Sequence, residues 1–96
     1  MKTIGYSLVK ETAVLARNEV NCIEFCVKND DLPVGGLALS FLCNGKARLS
    51  HEALVTDPNG LARVYVGDNV KEDVSIKAFY YDGDTLNFQY AIVDFV

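Results

Sequence analysis

The sequence has no tryptophan, a single histidine and no run of lysines or arginines. The histidine, His51, stands in "LSHEAL" without a cysteine or serine at the spacing expected of a nucleophile and its base. The motifs GxSxG, GxxxxGK and HxxxH are also absent. We therefore expect His51 to be an ordinary surface residue and the protein not to be an enzyme.

Positive charge is too scarce for nucleic-acid binding. Nine lysines and arginines stand against 13 aspartates and glutamates, which gives a net charge of −4. Phosphate backbones are bound by clustered positive charge, and this sequence has no such cluster. We expect no nucleic-acid partner, and the acidity gives only a weak indication of a basic one.

Long apolar runs are missing too. No segment approaches the roughly 20 apolar residues of a membrane-spanning helix. The N-terminal "MKTIGYSLVKE" lacks the apolar stretch of a secretory signal. The 96 residues, 50% of them hydrophobic, suffice for one small core. The sequence predicts one domain over residues 1–96, without membrane insertion and without a secretory signal.

Cysteine occurs three times, and an odd count leaves at least one thiol unpaired. Cys22 and Cys26 lie in one predicted strand, about 13 Å apart at roughly 3.3 Å per residue, which is beyond the reach of a disulfide. A bridge from Cys43 to either of them stays geometrically open. We expect three free thiols, which suits a reducing compartment or a late-assembling particle. Packing against a neighbouring element is favoured over metal binding for Cys22 and Cys26.

Apolar and polar residues alternate with a period of two along most of the chain, which predicts half-buried strands. The residues predicted to face the core are Ile23, Phe25 and Val27; Leu37, Leu39 and Phe41; Ala62, Val64 and Val66; Val74, Ile76 and Ala78; and Leu86, Phe88, Tyr90 and Ile92. "TAVLA" predicts a weaker strand with Val14 and Ala16 inward. A short helix over Val9 to Leu15 is less favoured there, because β-branched residues and a missing cap oppose it.

Turn-forming residues separate these runs, in "KNDDLPVGG", "CNGK", "DPNG", "VGDN" and "YYDGDT". Asp82-Gly83 is predicted to be the centre of a tight hairpin turn. Helical spacing is hardly visible. Six or seven short strands joined by regular turns predict an all-β sandwich.

The segment "VTDPNGLARVYV" is open to two interpretations. Asp57, Asn59 and Gly60 are typical of calcium loops, but an EF-hand needs Gly at its sixth position and Glu at its twelfth, and no carboxylate follows here. A β-turn explains every residue: Pro58 presets φ, Asn59 is tolerated at the third position, and Gly60 takes the left-handed conformation. The Asp57 carboxylate can then accept a hydrogen bond from a nearby amide. We predict a turn that leads into a strand.

This segment resembles the T-x-x-x-G-x-A-x-V-x-V signature of bacterial immunoglobulin-like domains of the invasin and intimin type, through Thr56, Gly60, Ala62, Val64 and Val66. The earlier "FCVKNDDLPVGGLALSF" is similar to a strand, turn and strand block of that family, through Val27, Pro33, Val34, Gly36, Leu39 and Phe41. "AVLARNEVNCIEF" resembles the family's opening. The resemblance extends from Ala13 to Ala78 and implies an immunoglobulin-like β-sandwich of about seven antiparallel strands.

Three features depart from the family pattern. The turn from Asn29 to Leu32 lacks the usual glycine, cysteines are uncommon in exported members, and the chain from Phe79 onward follows no family pattern. Members commonly form stalks of tandem domains in surface adhesins, and similar domains decorate phage particles. The resemblance therefore implies a non-catalytic module, without cofactor or metal, that mediates protein–protein or cell-surface attachment on a cell or a virion.

Acidic residues cluster in three places, namely Asp30-Asp31, Asp68 with Glu72-Asp73, and Asp82 with Asp84. Turns favour aspartate, so we expect ordinary turns here rather than a cation site. The second cluster supports an alternative function, a small acidic immunity or inhibitor protein that binds a basic partner. Affinity that collapses with added salt would favour that alternative, since apolar association is insensitive to salt.

Candidate binding residues come from outward aromatics and the end of the chain. Phe79, Tyr80 and Tyr81 are consecutive, so a strand must turn some of them outward. In "AIVDFV" both strand faces are apolar, and a last strand usually lies at a sheet edge, which predicts self-association through this strand. The candidate binding residues are Tyr65, Phe79, Tyr81 and Phe95, with a protein or cell-surface ligand as partner. Cross-strand pairing explains outward aromatics equally well.

Overall fold

The computed structural model describes residues 1–8, 14–15 and 20–96, which form ten β-strands. They are β1 (Lys2–Leu8), β2 (Val14–Leu15), β3 (Val20–Asn29), β4 (Leu32–Pro33), β5 (Ala38–Cys43), β6 (Arg48–Leu49), β7 (Ala53–Val55), β8 (Leu61–Gly67), β9 (Glu72–Asp82) and β10 (Thr85–Phe95). Within these ranges no helix is long and apolar enough to span a membrane. Strand β2 matches the weak strand predicted at "TAVLA", whereas Ala16 and most of the alternative helix lie outside the described residues.

Sheet I has the strand order β1-β3-β8-β6, and β4 also pairs with β3. All of these described pairs are antiparallel. Strand β3 is central, with Ile23 opposite Val64 of β8 on one side and Leu8 of β1 on the other. The sequence predictions omit β1, although Ile4, Tyr6 and Leu8 alternate with polar residues or glycine in it.

Sheet II has the strand order β2-β10-β9-β5-β7. Strands β9 and β10 form a hairpin in which Asp82 pairs with Thr85, so Gly83-Asp84 is the two-residue turn. The predicted turn centre, Asp82-Gly83, is therefore one residue too early. Strand β10 pairs in parallel with β2 at Asp94 and Phe95, and among the described strands this is the single departure from antiparallel pairing.

The core lies between the two sheets and consists of side chains from alternate strand positions. The buried apolar residues are Ile23, Phe25, Val27, Leu39, Phe41, Ala62, Val64, Val66, Val74, Ile76, Ala78, Tyr80, Ala91, Val93 and Phe95. The Phe25 ring of sheet I lies 5.4 Å from the Phe41 ring of sheet II, so aromatic packing joins the layers. The inward faces predicted for β3, β5, β8 and β9 are confirmed, with Leu37 partly buried at the margin.

The predicted inward face of β10 is wrong. Phe88, Tyr90 and Ile92 are 53%, 46% and 59% exposed, while Ala91 and Val93 are fully buried. The register of the hairpin is the physical reason, because directly opposed residues of neighbouring strands share one face of the sheet. Ala91 lies opposite the inward Ile76 and Val93 opposite the inward Val74, which turns the larger apolar residues of β10 outward.

The turn Asp57-Pro58-Asn59-Gly60 has the predicted geometry. The Gly60 amide donates to the Asp57 carbonyl at 2.9 Å, and the φ of Gly60 is +77°. The Asp57 carboxylate accepts from the amides of Asn59 at 2.8 Å and Leu61 at 3.0 Å. These bonds satisfy the amides that lead into β8, which is the role that an aspartate has at the start of a turn.

The two segments that carry the family resemblance contact each other, and we call this contact the motif junction (Val27, Val34, Leu37, Thr56 and Gly60). The buried Thr56 hydroxyl donates to the Val34 carbonyl at 2.7 Å and accepts from the Leu37 amide at 3.0 Å. The Val27 amide donates to the Gly60 carbonyl at 2.8 Å, and the Val34 amide donates to the Val27 carbonyl at 3.0 Å. The junction therefore ties β3 and the segment before β5 to the loop before β8.

Candidate functional site

Large apolar side chains, most of them exposed, lie on the outer face of the β9–β10 hairpin of sheet II. Phe79 and Tyr81 of β9 lie beside Phe88, Tyr90 and Ile92 of β10, and we call these five residues the aromatic face. Phe88 is directly opposite Phe79, and Tyr81 is 66% exposed. The solvent side of an antiparallel sheet is normally polar, so a continuous apolar patch there indicates an interaction site.

Lys77 lies at the centre of the aromatic face. Its Nζ is 5.1 Å from the centroid of the Phe88 ring, 5.5 Å from Phe79 and 5.9 Å from Tyr90. The Phe88 and Tyr90 rings also meet edge to face at 5.7 Å. Each exposed cation–π contact contributes about 0.5–1 kcal/mol. Lys77 therefore has aromatic rings around its ammonium group on this face.

Two carboxylates, which we call the acidic pair, lie at one end of the same face. Asp94 of β10 is directly opposite Asp73 of β9. A hydrogen bond with Asp73 raises the pKa of Asp94; loss of water and the negative charge of Asp73 act in the same direction, and Lys71 opposes them. Two carboxylates that face each other repel when both are charged, and a nearby positive charge relieves this repulsion. A cation from a partner would be favoured at this position.

The Asp94→Asn variant should be more stable than the wild type at neutral pH. The raised pKa of Asp94 means that the folded protein holds the proton more tightly than the unfolded chain, so ionisation disfavours folding above that pKa. This penalty disappears below the ordinary value of 3.8, where both states are protonated. Thermal unfolding at several pH values should show a higher Tm for the variant at pH 7 and a difference that shrinks in acid.

The matched control is Asp84→Asn in the turn between β9 and β10, which removes the same charge away from the acidic pair. Its Tm should follow that of the wild type at every pH. A similar gain in both variants would mean that net charge, and not the facing carboxylates, sets the effect.

The four candidate binding residues do not form one site. Phe79 and Tyr81 lie on the aromatic face, but Tyr65 lies on the outer face of sheet I, opposite Cys22. Phe95 is 0% exposed, so its side chain is part of the core and the prediction that it presents a binding surface is wrong. The expectation that the last strand is an edge strand is also wrong at its end, where β2 covers Asp94 and Phe95.

The cysteines are free and partly buried, as predicted. Burial raises the pKa of the Cys22 and Cys43 thiols, and the charges of Asp68 and Glu72 raise that of Cys43 further. The Cys43 thiol also donates to the Ala47 carbonyl at 3.3 Å. A raised pKa lowers the thiolate fraction, so neither thiol has the properties of an activated nucleophile.

His51 is exposed, as predicted, and its Nδ1 lies 2.8 Å from the Ser50 Oγ. The Ser50 Oγ also accepts from the Tyr65 amide at 2.9 Å. That second bond joins strand β8 to the segment that precedes β7. The position of Ser50 beside His51 therefore has a structural explanation.

Of the cluster Asp68, Glu72 and Asp73, on which the inhibitor alternative rests, the structure buries one member and leaves Asp73 exposed. Asp68 is buried; its Oδ1 accepts from the Val70 amide at 3.1 Å, and its Oδ2 has no hydrogen-bond partner among the residues that the structure describes. The Glu72 carboxylate accepts from the Lys46 amide at 2.9 Å. Within the part of the chain that the structure describes, no group of three or more metal-ligating side chains comes together.

Comparisons with known proteins find similarity in structure alone. No protein-family model matches the sequence, and no curated protein matches it either. A solved structure of the D0-D1 domains of intimin covers 100% of this chain with a TM-score of 0.82 and 20% identity. A solved structure of the D00-D0 domains of intimin covers 99% of this chain with a TM-score of 0.81 and 19% identity.

A third similar structure is a C-terminal 282-residue fragment of intimin in complex with the intimin-binding domain of the translocated intimin receptor, Tir. It covers 93% of this chain with a TM-score of 0.69 and 21% identity. The chain spans 49% and 47% of the length of the first two solved chains and 33% of the third. This chain therefore folds as an immunoglobulin-like β-sandwich of the intimin type.

Proposed function

We propose that this chain is a single, non-catalytic immunoglobulin-like module of the adhesin type, which attaches to a protein partner through the aromatic face. The aromatic face is the observation that carries the proposal. Three of its members, Tyr81, Phe88 and Ile92, are more than half exposed. Covering such area removes it from water, which is worth about 25 cal/mol per Å² before the entropy of association is subtracted.

The composition of the aromatic face is that of a protein-binding site. Tyrosine and other aromatic residues are enriched where binding energy concentrates, and they lose little side-chain entropy when they bind. Lys77 adds a charge that can select the orientation of a partner. The intimin fragment solved with the Tir domain is an example of this architecture in a protein complex, which supports a protein as the partner here.

A role on phage particles stays a prediction from the sequence resemblance. It would also be non-catalytic and could use the same face. The inhibitor alternative loses support because Asp68 is buried.

Variants of the aromatic face test the proposal. Immobilised wild-type chain would be used to capture proteins from native lysate, the captured species would be identified by mass spectrometry, and each would be produced for affinity measurement. Phe88→Ser with Tyr90→Ser should weaken the affinity of a true partner at least tenfold, because truncating a central aromatic typically costs more than 1.4 kcal/mol.

The matched control is Tyr65→Ser, since Tyr65 is 47% exposed, much like Tyr90, but lies on the opposite sheet. It should leave the affinity unchanged. Partners that bind the double variant as tightly as the wild type, or that Tyr65→Ser weakens equally, would place the binding surface elsewhere.

A further inference from the structure

The outer face of sheet II arranges apolar and charged residues in rows along the β9–β10 hairpin. The rows follow from the strand register, in which Asp73 lies opposite Asp94, Ser75 opposite Ile92, Lys77 opposite Tyr90 and Phe79 opposite Phe88. Successive rows are two residues apart, about 6.8 Å. One end of the face is therefore negative, the middle is positive, and apolar side chains lie between and beyond.

This order of charges is complementary to itself. Consider a two-fold axis that runs across the strands above Ser75 and Ile92. Rotation about it places Ile92 on its own copy, and it places the row of Lys77 and Tyr90 over the acidic pair of the second molecule. The lysine would then meet a carboxylate, and the tyrosine hydroxyl could donate to the other one.

We propose that the partner of the aromatic face is a second copy of this chain, packed face to face about this axis. This inference rests on the proposed function, because it names the partner of the same surface. The interface is isologous, so each copy contributes Lys77 once and the acidic pair once. Aligned sheets pack about 10 Å apart, which leaves room for side chains from both faces to interdigitate.

Charge complementarity favours a second copy over a partner of another kind. Among the described residues, neither carboxylate of the acidic pair has a cation within ion-pair distance. Lys77 already lies against three rings and has no carboxylate partner among the same residues. Each group can thus serve as a close counter-charge for the other, and the two-fold axis brings both together at once.

The size of the face indicates a weak dimer. About the axis above Ser75, the stretch that overlaps runs from Lys71 to Phe79 and leaves Tyr81 outside. It is about 27 Å long, and three strands are about 15 Å wide, so the flat area is on the order of 400 Å² per copy. A standard interface needs roughly 800 Å² per partner. We therefore expect a dissociation constant on the order of 100 µM, which is strong enough to act when many copies are displayed together.

Charge-swap variants test this inference by sedimentation velocity between 10 µM and 1 mM. The wild type should pass from monomer to dimer over this range. The single variant Lys77→Glu should remain monomeric when measured by itself. The double variant Asp73→Lys with Asp94→Lys should remain monomeric too, because like charges then face each other in both cases. An equimolar mixture of the two should dimerise again, since each meets its opposite charge in the other.

Tyr65→Ser should dimerise like the wild type. Circular dichroism would confirm that each variant is folded. If a charge reversal unfolds the chain, Lys77→Gln and Asp73→Asn would be the milder replacements, and each alone should weaken dimerisation at least fivefold. Truncation of the C-terminal residues is unsuitable, because Phe95 is buried.

A wild type that stays monomeric at 1 mM would overturn the inference, as would charge-swap variants that dimerise like the wild type or a mixture that fails to. The proposed function would survive those results if Phe88→Ser with Tyr90→Ser still abolished binding to an identified foreign protein. Conversely, a dimer that the charge swaps control would support the inference even if no foreign partner is captured.

Discussion

Replacing Gly60 by alanine should lower the free energy of unfolding by about 3–4 kcal/mol, a large part of the 5–15 kcal/mol typical of a domain. The φ of Gly60 is +77°, where an L-residue with a side chain is strained by about 1–2 kcal/mol. A Cβ there would also lie 2.5 Å from the Val27 carbonyl oxygen and 3.0 Å from the Val34 amide nitrogen. Both are backbone atoms of the motif junction, so neither can move away without breaking its hydrogen bonds. Urea denaturation would measure the loss.

Gly36→Ala separates the two causes. Its φ of +75° matches that of Gly60, but no atom lies within 4 Å of the position that a Cβ would take. This variant should lose only the backbone term, about 1–2 kcal/mol. Equal losses in the two variants would mean that close packing at the motif junction adds nothing.

Replacing Thr56 by valine should cost about 2–3 kcal/mol. Valine has the same shape but cannot donate to the Val34 carbonyl or accept from the Leu37 amide. Thr56 is 3% exposed, so water cannot easily replace the hydroxyl. A polar group left unpaired in this way costs roughly 1–3 kcal/mol. Denaturant unfolding would give the stability, and hydrogen exchange at the Leu37 amide should become faster.

Thr56→Ser is the control, because it keeps the hydroxyl and loses only a methyl group. It should retain most of the stability and the slow exchange at Leu37. If serine were as damaging as valine, packing of the methyl group rather than hydrogen bonding would explain the presence of Thr56.

Most of the sandwich follows from local patterns in the sequence. In β3 and β8 one face is apolar and the other polar, so alternation alone identifies Phe25 and Val64 as core residues. Turn chemistry explains the segment before β8, where Pro58 and Gly60 each have a backbone role. The parallel pairing of β2 with β10 could not be predicted in this way, because it joins distant parts of the chain and depends on how the sheets assemble.

The candidate site shows where alternation fails. The second half of β10 is apolar on both faces, and in the first half alternation with Asn87 and Gln89 favours the wrong face. The period of two therefore does not identify the buried face. The length of the turn between β9 and β10 is the stronger indication of which face is buried. A two-residue hairpin loop pairs even-numbered residues of β9 with odd-numbered residues of β10, and the inward Ile76 then requires an inward Ala91. Applying this constraint would have moved Phe88 and Tyr90 from the predicted core to the surface.

Packing decides the roles of the remaining aromatics. The sequence identifies Phe79 and Tyr81 as outward, but it contains no information that Tyr65 belongs to the opposite sheet. Phe95 looks like an exposed terminal residue, yet its position opposite Glu72 at the end of the hairpin aims it into the core with Val93. Such placements depend on which sheet a strand joins.

The short turn at Gly83-Asp84 also has a consequence for the order of folding. A hairpin closed by two residues forms in about 1–10 µs, whereas sandwiches built from distant pairings need milliseconds to seconds. A hairpin of β9 and β10 that forms during this interval would be apolar on both sides and able to stack on hairpins of other nascent chains. Stacking in register would place one Lys77 beside another, and such a charge acts as a gatekeeper against aggregation. The lysine that can select one register in a folded dimer would thus oppose the repetitive register of a fibril.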